Sequence, residues 1–199
     1  MRVIAIGAQG DIGRAACAEL ADRHEVITAG RSSGDIQVDI TDRASIDEMY
    51  RKTGKVDAVV ATLGDVHFGA LSDFTEDQFM LGLTNKVMGQ INVVLGGLNT
   101  VSDGGSFTLT SGVLDRDPIR QGTGAATANG ALGGFVKGAA IEMPRGMRIN
   151  VVSPGLLDVS VSRYGSFFPG HEPVSSRRVG LAYAKSVEGA LTGQVIIVE

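Results

Sequence analysis

The residues best placed to do chemistry lie near the start of the chain. Gly7, Gly10 and Gly13 are spaced three apart in Gly7-Ala8-Gln9-Gly10-Asp11-Ile12-Gly13. Before them stands the apolar run Val3-Ile4-Ala5-Ile6, and after them a helical run. A strand, a tight turn and a helix opening onto that turn aim free N–H groups and the positive end of a helix dipole at one point. Glycines there let the backbone pass close to a bulky anion. The chemistry implied is recognition of a pyrophosphate, with Gly7, Gln9, Gly10, Asp11, Ile12 and Gly13 around it. The alternative is an ordinary strand-to-helix turn, because glycine is frequent here, 28 of 199 residues.

A second chemical group follows the next apolar run. Val26-Ile27-Thr28-Ala29-Gly30 ends at Arg31-Ser32-Ser33. In a dinucleotide-binding unit this strand end lies beside the adenosine ribose, and an acidic residue there takes the ribose hydroxyls of NAD. Arg31 instead offers a guanidinium that matches a phosphate in bidentate fashion, and Ser32 can add a hydrogen bond. The reading is therefore NADP(H) rather than NAD. A solvated arginine in a polar loop is the alternative.

These groups need a scaffold, and the bulk properties bound it. The 199 residues are 43% hydrophobic and carry a net charge of -4. One core and one domain, 1–199, are expected. No basic run with interleaved aromatics points to nucleic acid. Cys17, the single cysteine, cannot form an internal disulfide, which suits a cytoplasmic protein. No signal peptide is expected before the first strand, no apolar run is long enough for a membrane span, and no cluster has metal-ligand spacing.

Apolar runs alternate with helical patterns along the whole chain. Strands are expected near residues 2–6, 26–29, 36–40, 56–61, 106–110, 148–152 and 195–198. Helices are expected over 15–23, 42–50, 75–98, 124–142 and 179–187, and residues 156–175 show no period. This alternation predicts an α/β fold: a Rossmann-type doubly wound parallel sheet of about seven strands. Ligands of such sheets bind at the carboxyl ends of the strands. That gathers the glycine turn, Arg31, Ser32, Asp39, Ile40, Thr62, Leu63, Gly64, Thr110, Ser111, Pro154, Gly155 and Leu157 in one crevice.

Several of these segments, in this order, resemble the short-chain dehydrogenase/reductase family over essentially the whole chain. The glycine turn resembles the family's divergent Gly-x-x-Gly-x-x-Gly form. Val38-Asp39-Ile40-Thr41-Asp42 is similar to its adenine-holding segment, and Thr62-Leu63-Gly64 stands where the family has Asn-Ala-Gly. Arg148-Ile149-Asn150-Val151-Val152-Ser153-Pro154-Gly155 and Thr192-Gly193-Gln194 match two later segments. The resemblance implies binding of NADP(H) by these segments, a small-molecule substrate, and a homodimer or homotetramer. The pairing helices would be the glycine-rich 124–142 and the one before it.

The catalytic positions depart from the family pattern. The family places a Tyr-x-x-x-Lys pair on the long helix, the tyrosine moving the proton and the lysine holding the ribose. Counting from neighbouring motifs puts Ala125 at the tyrosine position and Asn129 at the lysine position. No tyrosine occurs between Tyr50 and Tyr164. The family's serine position falls on Gly112, with Thr110 and Ser111 beside it. Its asparagine position, linked through a water to the lysine in relatives, carries Lys86. An exchanged pair follows as an expectation: Lys86 reaches into the crevice and supplies the charge that Asn129 cannot, and its ammonium moves the proton. A solvated Lys86 with a slipped register is the alternative. Ser111 would orient a carbonyl, while Thr110 and Asn129 would hold the nicotinamide ribose. Asp115 and Asp117 read as solvated loop residues. Tyr164 and His171 fall in the family's lid region, where packing or surface roles are the simpler reading.

Two functions remain open on these residues. One is an NADP-dependent oxidoreductase acting on C=O or CH–OH groups with a non-standard proton-transfer group. The other is a degenerate relative that binds NADP(H) for sensing or assembly.

Overall fold

The computed structural model describes all 199 residues. Seven parallel strands, β1 (Arg2–Ile6), β2 (Glu25–Gly30), β3 (Ile36–Gln37), β4 (Val56–Ala61), β5 (Val101–Thr110), β6 (Arg148–Pro154) and β7 (Val195–Val198), form one sheet in the order β3-β2-β1-β4-β5-β6-β7. The order reverses direction between β1 and β4, so the crossovers leaving β1 and β4 diverge and open a crevice at their carboxyl ends.

The strands are apolar on both faces because helices cover both. Successive side chains of one strand therefore enter opposite cores. Ile4 and Ile6 join a core beneath α2 (Arg43–Thr53), α4 (Gly89–Gly97) and α5 (Thr123–Ala140), with Met49, Val93 and Leu132. Val3, one position before Ile4, joins the core beneath α1 (Asp11–Leu20) and α7 (Ser176–Glu188), with Leu20, Val179 and Tyr183. Two α-helices are short. These are α3 (Glu76–Gly82), capped by Thr75 and Gln78 in a reciprocal box, and α6 (Val161–Tyr164) in the segment the sequence left without a period.

Four departures from the sequence reading have local causes. Helix α1 begins at Asp11 rather than at residue 15. Gly10 is extended at its N-cap and the Asp11 carboxylate suits the helix dipole. Strand β3 stops at Gln37. The Asp39 carboxylate accepts from the Thr41 N–H and hydroxyl, at 2.9 and 2.7 Å, and turns the chain out of the sheet. Strand β5 starts earlier, at Val101, and its pairing with β4 shifts register between Val56 and Ala58. The helix expected over 75–98 runs through α3 and α4, but residues Leu83–Met88 between them form a π turn.

Candidate functional site

The glycine turn packs as closely as its sequence suggests. Gly7 has φ +82°, and a Cβ on it would lie 2.7 Å from the Thr62 carbonyl oxygen. A Cβ on Gly13 would lie 2.2 Å from the Gly7 carbonyl oxygen. Both are thus required by the protein's own backbone. Gly10 differs: its nearest neighbour would be 3.5 Å away, so the bare backbone leaves room for a ligand rather than for protein. The Arg14 guanidinium fixes the turn by donating to the Gln9 carbonyl at 2.9 Å. Ile12 packs toward the α1–α7 core and offers the ligand side only its backbone. Asp11 accepts from Ser160 Oγ at 2.6 Å and from the Arg163 guanidinium.

Beside the turn lies a cavity of about 170 Å³ lined by Gly7, Arg31, Val38, Ile40, Leu63, Gly64 and Asn85, among others. Its lining combines the apolar Ile6, Val38, Ile40 and Leu63 with the charged Arg31 and Asp65. Arg31 and Asp39 approach at 3.7 Å, both well exposed, a contact too solvated to tie up the guanidinium. The Asp39 carboxyl is held below its usual range chiefly by the Thr41 hydrogen bonds and less by Arg31. Ser32 is exposed. Thr62 donates to the Ile6 carbonyl at 3.0 Å and locks the β1 and β4 ends together.

The other half of the crevice is built around the end of β5. The π turn carries Lys86, whose Nζ donates to the Ser111 carbonyl at 3.2 Å. The one-residue widening of a π turn re-aims side chains and is frequent at functional sites. Gly64 is what admits Lys86: at φ +125°, a Cβ there would sit 2.5 Å from the Lys86 Cα. Burial pushes the Lys86 amine down to about 8, against an opposing pull from Asp115. Asp115 is an exposed residue, as expected, with its carboxylate turned inward to 20% exposure beside Arg116. Ser111 and Asn129 are 4% and 2% exposed, and the Ser111 hydroxyl and the Asn129 Oδ1 have no hydrogen-bond partner. The Asn129 amide lies against Gly112, where a Cβ would be 3.2 Å from its Nδ2. Lys86, Ser111 and Asn129 thus gather where the counting placed them. Two of the three hold unspent hydrogen-bonding capacity, buried from solvent.

Two expected contacts are corrected. The Thr110 hydroxyl is committed to the interior. It donates to the Ala61 carbonyl at 2.6 Å and meets the Tyr183 hydroxyl at 2.6 Å, so it cannot also hold a ribose. The Leu157 side chain is 4% exposed and belongs to the α1–α7 core, leaving only its backbone for the crevice. Pro154 ends β6, and Gly155 donates its N–H to the Val198 carbonyl at 2.8 Å, which sets the floor there.

Residue types alone concealed Gln90. Its fully buried amide donates to the Leu63 and Thr110 carbonyls, at 3.2 and 2.9 Å, and accepts from the Thr110 N–H at 2.8 Å. It staples the two strand-end loops of the crevice. The available signal was one amide in an apolar run, four residues after Lys86. No phenol replaces the missing one. Tyr50 donates to the Val93 carbonyl in the core, Tyr183 lies beneath the sheet, and Tyr164 is half exposed beneath the Arg163 guanidinium. Burial holds the Tyr50 and Tyr183 phenols above their usual range. Ala125 is 3% exposed, packed with Val113 and Leu114.

A reversing parallel sheet with a glycine turn at the reversal defines the class of dinucleotide-binding α/β proteins. Comparison with known proteins narrows this. The family model described as enoyl-(acyl carrier protein) reductase matches residues 2–181. The chain belongs to the short-chain dehydrogenase/reductase family. The protein lin1944 from Listeria innocua superposes with a TM-score of 0.98 at 48% identity over the full length of both chains. A small-chain dehydrogenase solved in complex with NADPH superposes with a TM-score of 0.87 at 26% identity, covering 100% of this chain and 96% of that one. Among curated proteins, versicolorin reductase stcU of Emericella nidulans is 26% identical over 168 residues, 78% of this chain and 62% of its own length. A cyclic-di-GMP-binding biofilm dispersal mediator protein of Escherichia coli is 27% identical over 126 residues, 62% of this chain and 53% of its own. The matches span only about half to three fifths of these curated relatives. No helix is long and apolar enough to cross a membrane.

Proposed function

We propose that this chain is an NADP(H)-dependent oxidoreductase that interconverts a carbonyl and an alcohol on a small molecule, with Lys86 as the proton-transfer group. The observation that carries the reading is the Lys86 ammonium on its π turn, donating to the end of β5 beside two unsatisfied polar groups. The glycine turn and the α1 N-terminus would hold the diphosphate, Arg31 and Ser32 the 2′-phosphate, Ile40 and Leu63 the adenosine walls, and Asn129 the nicotinamide ribose. NADPH, when bound, supplies the hydride. Ser111 Oγ donates to the substrate carbonyl and orients it. The Lys86 ammonium gives a proton to that oxygen as it becomes an alcohol, and the neutral amine regains one from water. The relative solved with NADPH supports the cofactor.

The test is calorimetric titration with NADPH and NADH, followed by a screen of aldehydes, ketones and quinones. Arg31→Glu should weaken NADPH far more than NADH; equal loss removes Arg31 from the assignment. A second reading, an NADP(H)-binding protein without turnover, is favoured by the apolar packing around Ala125. Tight NADPH binding with no turnover on any class selects it. A cytoplasmic homodimer or homotetramer through α4 and α5 belongs to the same proposal.

A further inference from the structure

The diphosphate end of the crevice has a feature that the glycine turn does not explain. Asp11 is the first residue of α1, and the Gly10 N-cap provides no side-chain acceptor. The Asp11 carboxylate does not cap the helix. It is held by Ser160 Oγ at 2.6 Å and by the Arg163 guanidinium, both from the segment after β6. Arg163 therefore stands at the mouth of the turn. Its guanidinium also lies 5.4 Å from the centre of the Tyr164 ring, which restricts its swing.

This arrangement suits an exchange of partners. The Arg163 side chain is 54% exposed and that of Asp11 is 30% exposed, so their pair is screened and easily given up. A diphosphate at the α1 N-terminus presents more negative charge and several oxygens in a geometry that a guanidinium meets with two parallel hydrogen bonds. It would also repel Asp11. We propose that Arg163 is a diphosphate-binding residue, parked on Asp11 in the free protein and transferred to the cofactor when it binds. This rests on the NADP(H) reading above. Because α6 carries Arg163, the transfer also fixes the segment 158–167 over the crevice.

Isothermal titration of the whole protein tests this, using NADPH, NADH, ADP-ribose and 2′-AMP, which lacks the diphosphate. Arg163→Met should weaken NADPH, NADH and ADP-ribose alike by about tenfold and leave 2′-AMP unchanged. Arg163→Lys, which keeps the charge and loses the fork, should fall between. The same Arg163→Met change in an Asp11→Asn background should keep its full effect. Affinities equal to the unaltered protein overturn the proposal. So does a loss that disappears in the Asp11→Asn background, since Arg163 would then only neutralise Asp11, and so does an equal loss for 2′-AMP. If the unaltered protein binds neither NADPH nor NADH, the cofactor reading itself fails and takes this proposal with it; the other outcomes leave that reading standing.

Discussion

Lys86 sets the behaviour of the site at the scale of single residues. Burial lowers its amine to about 8, with Asp115 opposing. A proton donor of this kind works as the ammonium, so the rate of carbonyl reduction should be full below pH 8 and decline as pH rises through about 8. Lys86→Met should abolish that limb and lower kcat by roughly 10²–10⁴-fold, read from NADPH-oxidation profiles. Linkage gives a second signature. The unfolded chain holds this proton up to its ordinary value near 10.4, whereas the folded one releases it near 8. Between these limits the unfolded state binds more protons, so stability contributed by this group rises with pH. Melting curves of wild type minus Lys86→Met across that window should show the rise; the difference removes the tyrosines, whose raised phenols act above it. Lys86, Ser111 and Asn129 were legible from spacing against neighbouring motifs. The engagement of Thr110 was not, because its partner Tyr183 lies 73 residues away.

Among the elements, the π turn at Leu83–Met88 and the Gln90 staple decide how the crevice is assembled. Helix periodicity does not reveal one inserted residue, so residues 75–98 read as one regular helix. The helix start expected at residue 75, by contrast, is where the structure places the Thr75–Gln78 capping box. Strand β4, buried along nearly its whole length, matched its apolar run because buried parallel strands leave an unbroken signature; β7 matched too, although at the sheet edge it leaves Ile197 53% exposed. Gln90→Leu should strip this partner from the buried Thr110 carbonyl and N–H and from the half-buried Leu63 carbonyl, where each buried orphan costs ~1–3 kcal/mol. Urea denaturation should show a loss of at least about 2 kcal/mol, while Gln90→Glu should be no better because it removes both donors.

For the molecule as a whole, the sheet order fixes where everything meets. Right-handed crossovers and strands apolar on both faces made the class legible. The reversal at β1 and β4 brings Gly7 to one opening with Leu63 and Gly64, although 56 positions separate Gly7 from Leu63 in sequence. On the outer face, Met88 and Leu95 are 44% and 46% exposed. Beyond their own helix, Gly134 and Gly138 of α5 have no atom within 4 Å of a Cβ position. Small residues permit close backbone approach, so light scattering should report a dimer or tetramer; introducing Gly134→Trp should shift it toward monomer without loss of cofactor binding.

The close apolar packing around Ala125 has a consequence for redesign. A phenol placed at that helix position by one substitution would meet Val113 and Leu114 rather than open space, and overpacking costs ~1–3 kcal/mol. A bulky acid can be grafted onto this helix only by carving out both of those aliphatic neighbours in the same step.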